Sequence, residues 1–410
     1  MHADPRTDIR PDVRHVPNPL AGPLRPDAAA LLAEADHRDA AREIASWPGY
    51  APTPVVDQPG LARACGVAAM RYKDEGRRFA LGSFKALGGA YAVLRVLQEK
   101  LAAKGLQATA PDLIAGRHRD VVAGETVVCA TDGNHGRSVA WGARLFGCAA
   151  RIYIHEHVSG DREAAIAAYG ATMVRLPGDY DASVRAAAAD AARHGWTLVA
   201  DTDAGGGSDR VPRLVMQGYT LIVAELVAQM PEPPTHVVIP AGVGGLAAAV
   251  AGRWAVVGGT ARPRMIVVEP HVADCVARSI AAGAPTAATG DVNSFMACLS
   301  AGEVSPVAWP ILRDAVDDAL TIPDELAADT MRGLARGRWG DAPLVSGESG
   351  CAAAAAILGL AGNAALRAAL GLGPASRVLT IGSEGATAPD LWRAVTGIDP
   401  ATLDQAPTGA

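Results

Sequence analysis

Thr126-Val127-Val128-Cys129-Ala130 is a short apolar run, and Thr131-Asp132-Gly133-Asn134-His135-Gly136 follows it at once. A run this short, cut off by a polar loop between glycines, reads as a parallel strand buried on both faces. A helical pattern starts after the loop and covers residues 137–146. Working outward, 151–154 reads as a strand, 161–169 as a helix and 172–175 as a strand. Residues 180–194 then read as a helix, and Thr197-Leu198-Val199-Ala200 as a strand ending at Asp201. Strict alternation of this kind predicts an α/β fold, with a mostly parallel sheet flanked by helices on both faces.

The alternation resumes after a glycine-rich break, Gly205-Gly206-Gly207-Ser208. Residues 217–230 read as a helix and His236-Val237-Val238-Ile239-Pro240 as a strand. Gly242-Val243-Gly244-Gly245-Leu246 is a tight loop opening another helix. A strand over 264–268 ends in Glu269-Pro270, and a late strand over 378–381 ends in Gly382-Ser383-Glu384-Gly385. Upstream, Thr53-Pro54-Val55-Val56 is a strand entry, and Phe79-Ala80-Leu81 reads as the strand of a strand–turn–helix unit. A helix is expected over 87–105, and polar, irregular chain over 107–122. The first fifty residues carry much Pro, Asp and Arg and one alanine-rich helix over 26–45. They read as an arm that packs on the core or on a second subunit. A chain of 410 residues suits two domains.

Half the residues are apolar and a fifth are charged, the balance of a globular chain. With 45 glycines and 4 phenylalanines, close helix packing is expected in place of large aromatic cores. A net charge of -6 gives no electrostatic case for nucleic acid or an anionic membrane as partner. Asp4, Arg6, Asp8 and Arg10 are unlike a signal peptide, and the uncharged run over 237–252 is interrupted by Pro240 and too short to span a bilayer. The six scattered cysteines read as free thiols of a cytoplasmic protein. Whether Cys275 approaches Cys298 stays open.

Three loops carry chemistry. Gly82-Ser83-Phe84-Lys85-Ala86-Leu87-Gly88-Gly89-Ala90-Tyr91 sets one lysine among small and aromatic residues at the start of a helix. Partial desolvation there lowers a lysine pKa, as a nucleophilic Schiff-base lysine requires. The Gly242–Leu246 loop is either a sharp turn with close packing or a cup for one phosphate at a helix N-terminus. It lacks the third glycine of a dinucleotide fingerprint. In Asp132-Gly133-Asn134-His135-Gly136, the asparagine is either a helix cap or a donor to a phenolate-like oxygen. No His/Cys/Asp cluster has metal-ligand spacing, so no catalytic metal is expected. An activated lysine, a single-phosphate cup and an asparagine between glycines together suit pyridoxal 5'-phosphate.

These motifs resemble the fold type II (tryptophan synthase β-like) pyridoxal-phosphate enzymes, and within them the diaminopropionate ammonia-lyases. The stretches that carry the resemblance are 83–91, 130–137, Asp201-Thr202, Met216-Gln217-Gly218-Tyr219 and Ala241-Gly242-Val243-Gly244. Val268-Glu269-Pro270, Ala273-Asp274-Cys275, Ser346-Gly347-Glu348-Ser349-Gly350 and Ser383-Glu384-Gly385 continue it. Relatives acting on serine or threonine generally have a serine where this chain has Asp132.

The resemblance implies two domains, each with a mostly parallel sheet, and an active site in the cleft between them. Residues 1–50 would form the arm, 51–86 with 205–410 the large domain, and 87–204 a small domain inserted in it. Lys85 would be the Schiff-base lysine and a base at Cα; Asp132 and Asp201 would supply the second acid/base group and bind the substrate amine. Phe84, Asn134, Gly242, Val243, Gly244, Gly245, Leu246 and Ser383 would contact the cofactor. Ser83, His135, Ser346 and Glu348 would join the two aspartates on the substrate side. The implied reaction is α,β-elimination of ammonia from 2,3-diaminopropionate, by a homodimer acting on a small amino acid.

The chain departs from the pattern twice. Aromatic residues and a glutamate usually follow Asp201-Thr202; here the sequence is Asp203-Ala204-Gly205-Gly206-Gly207-Ser208-Asp209. The hydroxyl expected opposite the ring nitrogen is also displaced, because position 382 is glycine and Ser383 or Thr380 would have to serve. The competing readings are a dehydratase of a 3-hydroxy amino acid on the same fold, and a non-catalytic binding protein.

Overall fold

The computed structural model describes residues 12–131, 133–202 and 209–404. Its strands are β1 (Arg14–Pro17), β2 (Val55–Asp57), β3 (Ala69–Asp74), β4 (Thr126–Ala130), β5 (Ala149–His155) and β6 (Thr172–Leu176). β7 (Thr197–Leu198), β8 (His236–Pro240), β9 (Arg264–Pro270), β10 (Asp318–Ile322) and β11 (Arg377–Gly382) complete the set. They form a seven-stranded sheet, β1-β10-β9-β8-β11-β3-β2, and a four-stranded sheet, β6-β5-β4-β7. The small sheet is parallel throughout. The large one is parallel except for its edge strands β1 and β2. Helices flank both sheets, so the fold is of the α/β class expected from the alternation, and its two sheets agree with what the fold type II resemblance implies.

Apolar runs that lie in the sheet centre were easily read: β8 is buried at every position, and β4 at its three central ones. Four local expectations are corrected. Residues 79–81 are not a strand but the end of a 3-10 turn, Glu75–Ala80; the strand is β3, just upstream. Residues 107–122 hold two short helices, Ala110–Ile114 and Arg119–Val122, the first closed by a capping box between Thr109 and Asp112. The arm contains β1 and two helices, Pro26–Leu31 and Glu34–Ala45, because Ala33 is extended (ψ 148°). Helix 217–230 begins earlier, as Arg210–Tyr219, and meets Leu221–Gln229 at Thr220, whose hydroxyl bonds the Gln217 carbonyl. Arg210–Gln229 is apolar and long enough to cross a bilayer, yet 72% of it is buried within the fold, as suits a core helix.

The glycine content has a local use. Helix Lys85–Ala102 lies between helices Asn134–Phe146 and Arg210–Tyr219. A Cβ at Gly88 would stand 2.4 Å from the Tyr219 ring, and one at Gly142 would stand 2.7 Å from Cα of Ala90. Three helices thus approach at backbone distance, which fixes the axis on which Lys85 sits.

Candidate active site

β3 leads to the lysine through a buried ionic cluster that its sequence does not advertise. Arg78, 1% exposed, donates to both oxygens of Glu225 (2.6 and 2.8 Å) and both of Glu75 (2.7 and 2.9 Å). Lys73, fully buried, adds bonds to Glu225 (2.7 Å), Gln229 (2.9 Å) and the Thr53 carbonyl (2.8 Å). Immediately after Arg78 come Phe79 and Ala80, both at positive φ (50° and 56°). Non-glycine residues there store backbone strain, which the surroundings must over-determine. The ion cluster on one side and the Phe79 ring against Trp141 (4.9 Å) and Trp47 (5.8 Å) on the other do so. Arg78→Met should therefore destabilise the fold by about 3–5 kcal/mol, since buried Glu75 loses its guanidinium partner and Glu225 keeps only Lys73 as a counter-charge; a chemical-denaturation midpoint within error of wild type contradicts this.

The lysine loop then docks on the end of β11. Phe84 N–H donates to the Ser383 carbonyl (3.1 Å) and Gly385 N–H to the Gly82 carbonyl (2.9 Å). Ser83 pairs with Glu384 as an isolated antiparallel bridge. Lys85 is the first residue of its helix, and its carbonyl accepts from Ser138 Oγ (2.7 Å) on helix Asn134–Phe146. The amine is thereby placed between the two sheets.

There it meets Asp201, just beyond β7, in a direct ion pair between Nζ and Oδ2. His135 Nδ1 lies 3.9 Å from the same oxygen, while its Nε2 bonds the Val199 carbonyl (2.8 Å). Burial alone would lower the Lys85 pKa, but the Asp201 carboxylate, with Tyr219 and Cys298, overrides it and holds the amine above its ordinary value. Burial likewise works to raise Asp201, but Lys85 and His135 hold it well below the carboxylate range. The first result reverses the sequence expectation of a lowered lysine. The two residues are 116 apart in the chain, and no local pattern announces their pairing.

Around the pair stand Phe84, whose ring centroid is 5.4 Å from Nζ, and Tyr219, edge-on to Phe84 at 4.7 Å. Asn134 Nδ2 donates to Glu384 Oε2 (2.6 Å) and reaches Cys298 Sγ (3.5 Å). Glu384, 1% exposed, also accepts from Thr387 Oγ1 (2.9 Å), Cys298 Sγ (3.4 Å) and Ser349 N–H (3.2 Å). It is the hub of this wall, a role that its place in the Ser383-Glu384-Gly385 motif does not announce. The Cys298 carbonyl in turn borders Gly242, where a Cβ would lie 3.1 Å away.

The remaining expected residues fall as follows. Gly242–Leu246 runs from β8 into helix Gly245–Gly258, whose N-cap is Gly244 at φ 92° with no side-chain cap. Ser346 accepts from Tyr72 OH (2.6 Å), and Thr380 donates to the Arg71 carbonyl (3.1 Å). Glycine at 382 is explained by the same tyrosine: a Cβ there would lie 1.9 Å from the Tyr72 ring. Ser383 is buried beside the lysine loop. Asp132 and the atypical loop over 203–208 lie outside the described residues.

Glu348 is fully buried, with Oε1 3.2 Å from Arg162 Nη2 and Oε2 unpartnered. Burial, aided by Glu384 and opposed by Arg162, pushes its pKa up to about 8 from an ordinary 4.5. The folded carboxyl thus keeps a proton that the unfolded one loses, and this group's contribution to stability should fall as pH rises from 4.5 to 8. Glu348→Gln should flatten that decline; an unchanged slope of unfolding midpoint against pH would refute the assignment.

The pocket fits pyridoxal phosphate on its own geometry. Glycines and an uncapped helix N-terminus offer a phosphate seat. His135 Nδ1 and Tyr219 OH are buried without hydrogen-bond partners beside the Lys85–Asp201 pair. Residues that could hold the group are Lys85, Asn134, Ser383 and Gly242–Leu246.

Comparison with known proteins points the same way. The family model described as "Pyridoxal-phosphate dependent enzyme" matches residues 46–384. The chain is 37% identical over 355 residues to the diaminopropionate ammonia-lyase of Salmonella typhimurium, covering 84% of this chain and 88% of that one. It is similar to the crystal structure of the holo diaminopropionate ammonia-lyase of Escherichia coli, with a TM-score of 0.85 and 33% identity over 94% of this chain and 97% of that one. The same Escherichia coli enzyme in complex with an aminoacrylate-PLP azomethine reaction intermediate gives a TM-score of 0.82 and 33% identity over 94% and 97%. The chain therefore belongs to the pyridoxal-phosphate dependent enzyme family, in the branch that holds the diaminopropionate ammonia-lyases.

Proposed function

We propose that the protein is a pyridoxal-phosphate dependent lyase that eliminates ammonia from 2,3-diaminopropionate, yielding pyruvate and two molecules of ammonia. The observation that carries this reading is the Lys85–Asp201 ion pair, in which a carboxylate already receives a primary ammonium between the two sheets. A substrate with a second ammonium group finds its counter-charge there once the lysine is engaged elsewhere. A hydroxyl-bearing substrate gains nothing comparable from Asp201.

Bound pyridoxal phosphate supplies the electron sink for the bond broken at Cα. Lys85 is the attachment residue and carries the Cα proton for one enantiomer. Asp201 holds the leaving amine, and Asp132, from its place beside Gly133, serves the other enantiomer as acid or base. Asn134, fixed by Glu384, orients the ring, and the Gly242–Leu246 turn seats the phosphate. We place the enzyme in the cytoplasm as a homodimer; a single-chain mass by light scattering would overturn the second part.

The test is the release of pyruvate and ammonia from D- and L-diaminopropionate beside serine and threonine. Two ammonia per pyruvate support the reading, whereas faster turnover of the hydroxy amino acids favours a dehydratase. Glu384→Ala, which frees Asn134, should weaken cofactor retention about tenfold or more; an unchanged pyridoxal-phosphate titration counts against that link.

A further inference from the structure

A cavity of about 240 Å³ opens behind Asp201, on the side of the small sheet that carries helix Tyr180–His194. Half of its described lining is aliphatic: Ala130 at the end of β4, Leu198 in β7, Ala200, and Val184 from that helix. Tyr180, Asp181 and Thr202 supply its polar lining. Asp201 is the shared wall: one oxygen meets the Lys85 amine, and the residue also lines the cavity. This space greatly exceeds what departing ammonia needs, since an engineered cavity of roughly 150 Å³ holds benzene.

We propose that the cavity receives a substituent on the leaving nitrogen, so that the enzyme also cleaves 2-amino-3-(alkylamino)propanoates with short alkyl groups. The inference rests on the ammonia-lyase reading, because it takes Asp201 as the residue that holds the leaving amine. A secondary ammonium keeps its charge and therefore its ion pair with Asp201, while its alkyl group enters the aliphatic side. An N-acyl group removes the charge and loses that pair. An anionic substituent is disfavoured by Asp181 and Asp201 together.

The chemistry balances as in the parent reaction. The Cα–H pair becomes the Cα=Cβ bond, and the Cβ–N pair leaves on nitrogen. The amine departs as alkylammonium in place of ammonium. Water then converts the enamine to pyruvate and one ammonia. No oxidant or reductant is required.

The test uses the enzyme loaded with pyridoxal phosphate and a series of N3-methyl, N3-ethyl, N3-propyl and N3-acetyl substrates beside the parent. Alkylamine and pyruvate should appear in equal amounts, with kcat/KM for the methyl and ethyl compounds within about tenfold of the parent and the acetyl compound at least about a hundredfold lower. Val184→Phe, which fills the space, should lower the ethyl-to-parent ratio about tenfold or more, and Val184→Ala should raise the propyl-to-parent ratio. A readout without turnover is the thermal midpoint: propylammonium should raise it in the wild type and not in Val184→Phe. Parent turnover with no alkylamine release, or ratios that Val184 substitutions leave unchanged, overturns the proposal. Absence of parent turnover instead sinks the ammonia-lyase reading, and the inference with it.

Discussion

Lys85→Ala should lower kcat/KM for pyruvate release from diaminopropionate at least about a thousandfold. On the proposed roles, two functions vanish together: the amine that would hold the cofactor covalently, and the base that would move the Cα proton. The fold should survive, because the helix start is held by other contacts. Ser138 bonds the Lys85 backbone carbonyl, and the bridge between Ser83 and Glu384 involves no lysine side chain. Lys85→Arg separates charge from chemistry. It retains a cation for Asp201 but no usable nucleophile, so it should be as inactive as alanine. The cofactor should still enter both variants noncovalently, and borohydride should then fail to fix it to the protein. Pyruvate release near the wild-type rate from either variant, or borohydride trapping of the ring at another residue, would remove Lys85 from the centre of the site.

How far the sequence foretold this site depends on the kind of contact. β4, β8 and helix Tyr180–His194 were legible because an apolar run or a helical period is a property of consecutive residues. β3 was not, since its sequence Ala-Met-Arg-Tyr-Lys-Asp reads as half polar. Lys73 is at home in it only because Glu225, 152 residues away, pairs with it. β10 begins with Asp318, a charged residue made tolerable by Arg264 and His15 from distant segments. The motif residues Lys85, Asn134 and Gly242–Leu246 were singled out through local composition and family likeness. The signs of the Lys85 and Asp201 shifts were not, because each depends on the other's position in space. Glu384 escaped for the same reason: its four acceptor contacts come from three separate loops and a helix start. Glycine at 382 looked like a lost hydroxyl in the sequence, and Tyr72 crossing from β3 supplies the steric cause.

Asp201→Asn should lower kcat/KM for diaminopropionate about a hundredfold or more, and lower it much less for serine. The asparagine keeps shape and hydrogen-bonding capacity but removes the charge. Burial pulls the Lys85 pKa down, and the Asp201 carboxylate is what lifts it above the ordinary 10.5. Without the carboxylate the largest upward contribution is lost while burial still pulls down, so the amine should titrate lower than in the wild type. Two independent signatures follow. In enzyme freed of cofactor, the pH at which Lys85 reacts with an amine-specific reagent should move down. In the loaded enzyme, the advantage of diaminopropionate over serine should shrink, because only the former carries a second ammonium. If Asp201 were merely structural, both substrates would lose activity in equal proportion and the reactivity of Lys85 would keep its pH dependence. Equal losses together with an unmoved lysine titration would therefore refute the pairing as a functional one.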